Sequence, residues 1–435
     1  MSQPNRLAIL VGGGPAPGIN SVIGAATIRS RLAGVGVVGI RNGFQEIMTG
    51  DLSGAQPLGI EDVGRIHFRG GSVLGTSRAN PTSDPALLET TVRSLIKLGV
   101  SQLITIGGDD TAFSAMQVTR KAEGRIRTAH VPKTIDNDLD LPPHIDTFGY
   151  QTARHVGVGI VQNLMMDAKT TSRWYFVITM GRKAGHLALG IGKAAGATIT
   201  LIPEEWQQGR VPLRTVVDSL AGSIIQRLAT GRRDGVAVIA EGLALHIAQE
   251  DLGELADVER DEHGHVRIAE VNLGEILRAQ VARRLAGFGL KATTVAKNIG
   301  YELRSADPVP ADMEYTRDLG FCAARHLLAG GNADLVSIDA GQFVPIPFDE
   351  LIDRKQGRFR VRLVDFWSTR YRIAHRYMLR LRREDFDDAR QLSRLAATVG
   401  ISPEEFRQEF GYLTRHEPVP LHFPSPAGAG EAAPA

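Results

Sequence analysis

The sequence predicts an α/β protein made of two doubly wound units of parallel sheet, followed by a mainly helical C-terminal extension. Three observations carry this. Short apolar runs recur at Leu7–Val11, Val35–Ile40, Leu103–Ile106, Trp174–Thr179 and Val236–Ala240. Most of them end in a Gly-rich or acidic turn followed by a helical pattern, which implies parallel strands with helices on both faces. From Asp349 onward the character changes, and Arg358, Arg360, Arg362, Arg370, Arg372, Arg376 and Arg380 alternate with aromatic and apolar residues.

Taken in order, Leu7–Val11 leads through Gly12–Gly18 into a helix expected from about Ile19 to Leu32, and Val35–Ile40 is a second strand. Leu103–Ile106 runs into Gly107-Gly108-Asp109-Asp110 and then a helix from about Thr111 to Lys121. Trp174–Thr179 runs into Met180-Gly181-Arg182 and a helix through Ala188 and Leu189, while Val236–Ala240 ends at Glu241-Gly242. The alternation divides into residues 1–149 and 150–289, with part of 290–345 returning to the first unit. Asp261-Glu262-His263-Gly264 reads as a hairpin tip. The extension, 346–422, reads as a strand followed by amphipathic helices. The Pro/Ala/Gly-rich end, 423–435, is expected to be disordered.

Composition excludes several function classes. The chain has 435 residues with 43% hydrophobic and 23% charged side chains, which suits a globular protein with ample core. Fifty Lys and Arg against 48 Asp and Glu leave no global charge to favour nucleic acid or a membrane surface. Aromatics at 6% weigh against a base-stacking platform. Cys322 is the sole cysteine, so no internal disulfide can form and a reducing cytoplasm is the expected setting. No apolar run has the length of a signal-peptide core or a membrane span.

The turns carry the chemistry. Ligands of doubly wound folds gather at the carboxyl ends of strands. Gly12-Gly13-Gly14-Pro15-Ala16-Pro17-Gly18 can bring backbone N–H groups close to an anion at a helix start, although a tight strand–helix connection alone would also use glycines. Asp109 and Asp110 put adjacent carboxylates on a Gly-Gly platform. One of them could be a helix cap, but two suit Mg²⁺ held against a phosphate. Pro132-Lys133-Thr134-Ile135-Asp136-Asn137-Asp138 is the most specific segment. A carboxylate there can take a proton from a sugar hydroxyl, and a lysine beside it supplies charge to a transferring phosphoryl group. A surface acidic turn is the alternative. Arg182 can grip a phosphate with its planar fork. Glu241 can accept from sugar hydroxyls, and Tyr301 with Arg304 places a hydroxyl and a guanidinium three residues apart. His186 reads as a packing or capping residue, since no partner sits at metal-ligand spacing.

In this order the segments resemble the 6-phosphofructokinase family over roughly residues 6 to 345, including the turn at 12–18, Gly71–Arg78, Gly107-Gly108-Asp109, Thr134–Asp138, Met180-Gly181-Arg182 and Glu241-Gly242. The resemblance implies two Rossmann-like domains with the active site in the cleft. Residues 1–149, with the returning part of 290–345, would bind the phosphoryl donor, and 150–289 the sugar phosphate. It implies Asp136 as general base toward the 1-hydroxyl of fructose 6-phosphate, and Asp109 with Asp138 as Mg²⁺ ligands. Gly13, Gly14 and Arg78 would contact the donor. Thr134, Ile135, Met180, Gly181, Arg182, Glu241, Tyr301 and Arg304 would bind the sugar phosphate. Arg173 matches an arginine that reaches the 6-phosphate in a neighbouring subunit, implying a homodimer or homotetramer. At Tyr301 many relatives carry His.

Two departures bear on the donor. ATP-using members commonly carry Gly where Asp110 and Lys133 stand, whereas the pyrophosphate-dependent branch carries Asp and Lys, as here. Asp110 would set a negative charge where the α-phosphate of a nucleotide must pass. Unit charges about 4 Å apart at a surface-like dielectric repel by roughly 4 kcal/mol before solvent relaxes. Pyrophosphate is therefore the expected donor and glycolysis the expected setting. An ATP-dependent enzyme and a non-catalytic sugar-phosphate sensor of the same fold are the alternatives. A dinucleotide-binding dehydrogenase lacks its Gly-x-Gly-x-x-Gly spacing here.

Overall fold

The computed structural model describes residues 5–142, 144–206, 209–253, 272–353 and 358–421. The expected hairpin tip at Asp261–Gly264 and the tail 423–435 lie outside them.

Strands β1 (Arg6–Val11), β2 (Gly36–Ile40), β4 (Val100–Gly107) and β5 (Arg127–Pro132) form the parallel centre of the first sheet, and β3 (Ala55–Leu58) closes one edge antiparallel to β2. The sheet is completed from much later in the chain. β10 (Asp334–Asp339) pairs parallel with β5, and β11 (Gln342–Pro347) pairs antiparallel with β10, giving the order β11-β10-β5-β4-β1-β2-β3. The order reverses direction between β1 and β4, which places a crevice at their carboxyl ends.

The second sheet is wholly parallel in the order β7-β8-β6-β9, from β6 (Trp174–Thr179), β7 (Ile199–Leu201), β8 (Gly235–Ala240) and β9 (Thr294–Ile299). Every residue of β6 and β8 is buried, as expected when helices cover both faces. Alternate side chains of β6 serve two cores. Trp174, Phe176 and Ile178 face one, and Tyr175 and Val177 the other.

The helices Ile19–Leu32, Asp109–Ala122 and His186–Ala195 start or end within a few residues of the expected positions. After the short strand Arg358–Phe359, the extension runs as helices Thr369–Tyr377, Ala389–Val399 and Pro403–Phe410 with a brief turn of helix between the first two. It packs on both faces of the second sheet. Leu392, Leu395, Phe406 and Phe410 join the Trp174 core, and Val364, Phe366 and Tyr371 join the Tyr175 core. Its arginines serve this packing. Arg380 makes a two-pronged bond to buried Glu205 at 2.8 and 2.7 Å, a geometry that offsets the cost of burying both charges. Among the described residues no helix is long and apolar enough to cross a membrane.

Candidate active site

The carboxyl ends of β1, β4, β5, β6 and β8, with the short helix after β9, converge on one cleft of about 350 Å³. The cleft brings together Gly13, Gly14, Arg78, Asp109, Asp110, Lys133, Thr134, Ile135, Asp136, Asp138, Met180, Arg182, Glu241 and Arg304, which lie far apart in the chain.

The first glycine turn is shaped by its neighbours. Gly13 has φ +77°, a conformation that favours glycine, and its N–H donates to the Ser77 carbonyl at 2.7 Å, which lays the segment carrying Arg78 beside it. A Cβ on Gly14 would fall 2.9 Å from Nη1 of Arg304, so a residue that follows the second sheet closes over a turn of the first.

Lys133 continues β5. Its N–H donates to the Gly107 carbonyl at 2.7 Å, and its ammonium donates to the Gly14 carbonyl at 2.5 Å. It is 4% exposed. Burial, and then the nearby guanidinium of Arg304, hold its pKa down at about 8. The loop that follows is tightly bonded. Thr134 Oγ1 donates to Asp138 at 3.1 Å and accepts from the Asp136 N–H at 3.1 Å. Asn137 takes the left-handed conformation, φ +57°, with its side chain tied to Asp146 and to the Thr147 N–H.

Asp136 Oδ1 is buried and accepts no hydrogen bond from the protein. Burial, then the carboxylates of Asp138 and Glu241, push the acid upward. An unpartnered buried oxygen is costly, and a hydroxyl donor from a ligand would satisfy it. Asp138 is likewise held above its ordinary range by burial and by Asp109. Among the described residues no three acidic, His or Cys side chains meet as a ready-made metal cage. Two crowded carboxylates beside a phosphate site nevertheless suit Mg²⁺, which takes most of its ligands from water and substrate.

Sequence reasoning gave no role to two side chains that hold this site together. Lys183 reaches from beyond β6 to form an ion pair with Asp109 at the head of the helix after β4. Arg362, in the extension, donates from Nε to the Asn137 carbonyl at 3.2 Å, from Nη1 to the Ile145 carbonyl at 2.6 Å, and from Nη2 to the Asn137 side chain. The backbone of the extension also bridges Leu139 through Val361. Lys183 directly follows the Met180-Gly181-Arg182 turn, and Arg362 lies within the alternating arginine run, but nothing local marks their partners.

Three expected site residues stand apart from the others. Gly181 does not line the cleft. It has φ +126°, and its carbonyl accepts from the Gly242 N–H at 3.2 Å, joining the ends of β6 and β8. Tyr301 is 76% exposed, with the Arg304 guanidinium 4.6 Å from its ring centroid. Arg173 precedes β6 and so lies at the opposite end of that strand from Met180, roughly 20 Å away. Its Nε lies 4.0 Å from a carboxylate oxygen of Asp167.

Comparison with known proteins places the same residues in a family frame. The phosphofructokinase family model matches residues 6–327. A pyrophosphate–fructose 6-phosphate 1-phosphotransferase from Thermotoga maritima is 51% identical over 94% of this chain and 99% of its own length. One from Naegleria fowleri is 48% identical over 94% and 96%. The crystal structure of a pyrophosphate-dependent phosphofructokinase from Marinobacter aquaeolei shares the fold, with a TM-score of 0.64 at 17% identity over 91% of each chain.

Proposed function

The chain belongs to the phosphofructokinase family, and from that premise we propose that it transfers a phosphoryl group from inorganic pyrophosphate to the 1-hydroxyl of fructose 6-phosphate. The observation that carries this is the unpartnered buried oxygen of Asp136, in one cleft with Lys133 and the first glycine turn. The sugar 1-oxygen attacks the terminal phosphorus of pyrophosphate, the bond to the bridging oxygen breaks, and phosphate leaves. The hydroxyl proton passes to Asp136. Positioning and charge stabilisation do most of the work in such transfers.

Lys133 and Arg182 supply positive charge around the transferring group, while Gly13, Gly14 and Arg78 hold the donor. Thr134, Ile135, Met180, Glu241 and Arg304 hold the sugar phosphate, with Gly181 setting the approach of its strand end and Tyr301 at the rim. Asp109 and Asp138 would hold Mg²⁺, which neutralises donor oxygens when bound. Lys183 pairs with one oxygen of Asp109, which leaves the other free to face the cation. Asp110 excludes the nucleotide. The family resemblance implies that the bond broken in pyrophosphate and the ester bond formed are close in energy, so the reaction runs in both directions.

We further propose that the enzyme works in the cytoplasm in glycolysis, without nucleic acid or membrane partners, as a homodimer or homotetramer in which Arg173 serves a neighbouring copy. Its position outside its own cleft supports that reading. The test is a coupled assay of the purified chain with fructose 6-phosphate and either donor. Turnover with pyrophosphate at least about tenfold above that with ATP is expected. Equal or greater turnover with ATP would favour the ATP-dependent enzyme, and binding without turnover of either donor would favour a sensor.

A further inference from the structure

Behind the catalytic loop lies a second cavity of about 450 Å³, enclosed by the helices Tyr150–Thr171 and His186–Ala195 and by residues 364–371 of the extension. Three cations converge on it: Arg154, Lys193 and Arg370. Among the described residues none of the three pairs with a carboxylate. Lys193 donates instead to the main-chain carbonyl of Arg370 at 3.1 Å. Lys193 is exposed, and partial desolvation, then the Arg370 guanidinium, shift its ammonium below its usual range. Arg154 lies over the Tyr150 ring, 5.8 Å from its centroid. The one acid in the wall, Asp365, accepts from the Trp367 N–H at 2.9 Å. His186 adds no fourth positive charge, since burial, and then the Arg362 guanidinium, hold its pKa down at about 4.

Like charges gathered around a cavity repel one another, and folding gains nothing from the arrangement by itself. The absence of a side chain at Gly190 lets two wall residues, Tyr150 and Arg154, lie close against the helix His186–Ala195. A Cβ on Gly190 would lie 2.5 Å from the Tyr150 hydroxyl and 2.9 Å from Cδ of Arg154. We propose that this cavity is a second anion site, built for a phosphorylated small molecule. Two guanidiniums and an ammonium suit phosphate oxygens. The volume exceeds that of a bare phosphate and lies in the range of small-molecule pockets. Leu189, Val364 and the Tyr371 ring offer apolar surface to a carbon skeleton. Asn137, between the two acids of the catalytic loop, forms part of the wall, so an occupant would rest against the back of that loop.

The test is equilibrium dialysis of the full chain with labelled inorganic phosphate. The double variant R154Q/R370Q should bind one phosphate fewer per chain than the unaltered protein, with the remaining affinities unchanged. K193Q, on an exposed side chain, should weaken the same site about tenfold and guards against a folding defect in the double variant. An unchanged count in both variants would overturn the proposal. So would loss of more than one phosphate, which would show a general charge effect rather than a site. An unchanged count accompanied by dissociation of an oligomer would assign the cations to a second copy and equally overturn it. Turnover in the donor assay is a separate readout, so failure here leaves the cleft reading intact.

Discussion

Arg362 and Asn137 are 225 positions apart, yet the guanidinium of Arg362 grips both the side chain and the main-chain carbonyl of Asn137, which stands between Asp136 and Asp138. The left-handed backbone at Asn137 is uncommon for a residue with a side chain. It is held from behind by a segment outside the span that the phosphofructokinase family model matches, 6–327.

Arg362→Gln should therefore lower kcat by about 10²-fold with a smaller change in KM, because the base is displaced while the binding groups stay. Stability should fall by on the order of 2 kcal/mol from lost charged hydrogen bonds. Arg362→Lys should recover stability more than rate, since an ammonium cannot reproduce the fork. Steady-state kinetics with denaturant titration separate the two effects. Equal losses in stability and rate for both variants would reduce Arg362 to a packing residue.

Asp136→Ser removes the proton acceptor and leaves the remainder of the cleft in place. A loss of about 10²–10⁴-fold in kcat with modest change in affinity for fructose 6-phosphate is expected. Near-normal turnover would take the role away from Asp136.

Much of this was legible beforehand, for a physical reason. Glycine turns at strand exits and carboxylates beside them are local signals, and the parallel topology brings strand exits together. The helix Ile19–Leu32 was likewise announced by its own residues. What local pattern does not contain is partnership over distance. Nothing near Arg362 indicates Asn137, and nothing near Lys183 indicates Asp109. The alternating arginines after residue 357 marked a strand and amphipathic helices, but Arg380 on Glu205 and Arg362 on the loop look the same in sequence.

Asp110 sits exposed at the head of the helix after β4, at the cleft wall. Asp110→Gly should relax discrimination against ATP by about tenfold, measured as the ratio of kcat/KM for the two donors. A ratio unchanged from that of the unaltered chain would place the source of donor choice elsewhere.

His130 predicts how stability depends on pH. It is fully buried in β5, with Nδ1 2.8 Å from the Thr105 hydroxyl and Nε2 donating to the Gly107 carbonyl at 3.0 Å. Burial holds its pKa down at about 3, against 6.5 when free. Between those values the unfolded chain binds the extra proton, so stability rises with pH there. The contribution is complete above pH 6.5 and is lost as pH falls toward 3. At pH 5 the loss is on the order of 2 kcal/mol. His186 and His375 are shifted in the same direction by burial and add to it. Denaturant midpoints of His130→Gln should therefore fall less than those of the unaltered chain between pH 7 and pH 5.

The first sheet takes β10 and β11 from beyond the whole of the second, and the acidic loop takes its brace from later still. A ribosome delivering this chain cannot finish the N-terminal half and move on. Until Asp339 has emerged, β5 has an open edge, and until Arg362 has emerged the loop after it lacks its brace. Such late closure over long sequence distance slows folding and leaves a nascent sheet edge exposed to wrong pairing. A gene shortened by its last quarter would still display most of the recognisable motifs and yield an inert product.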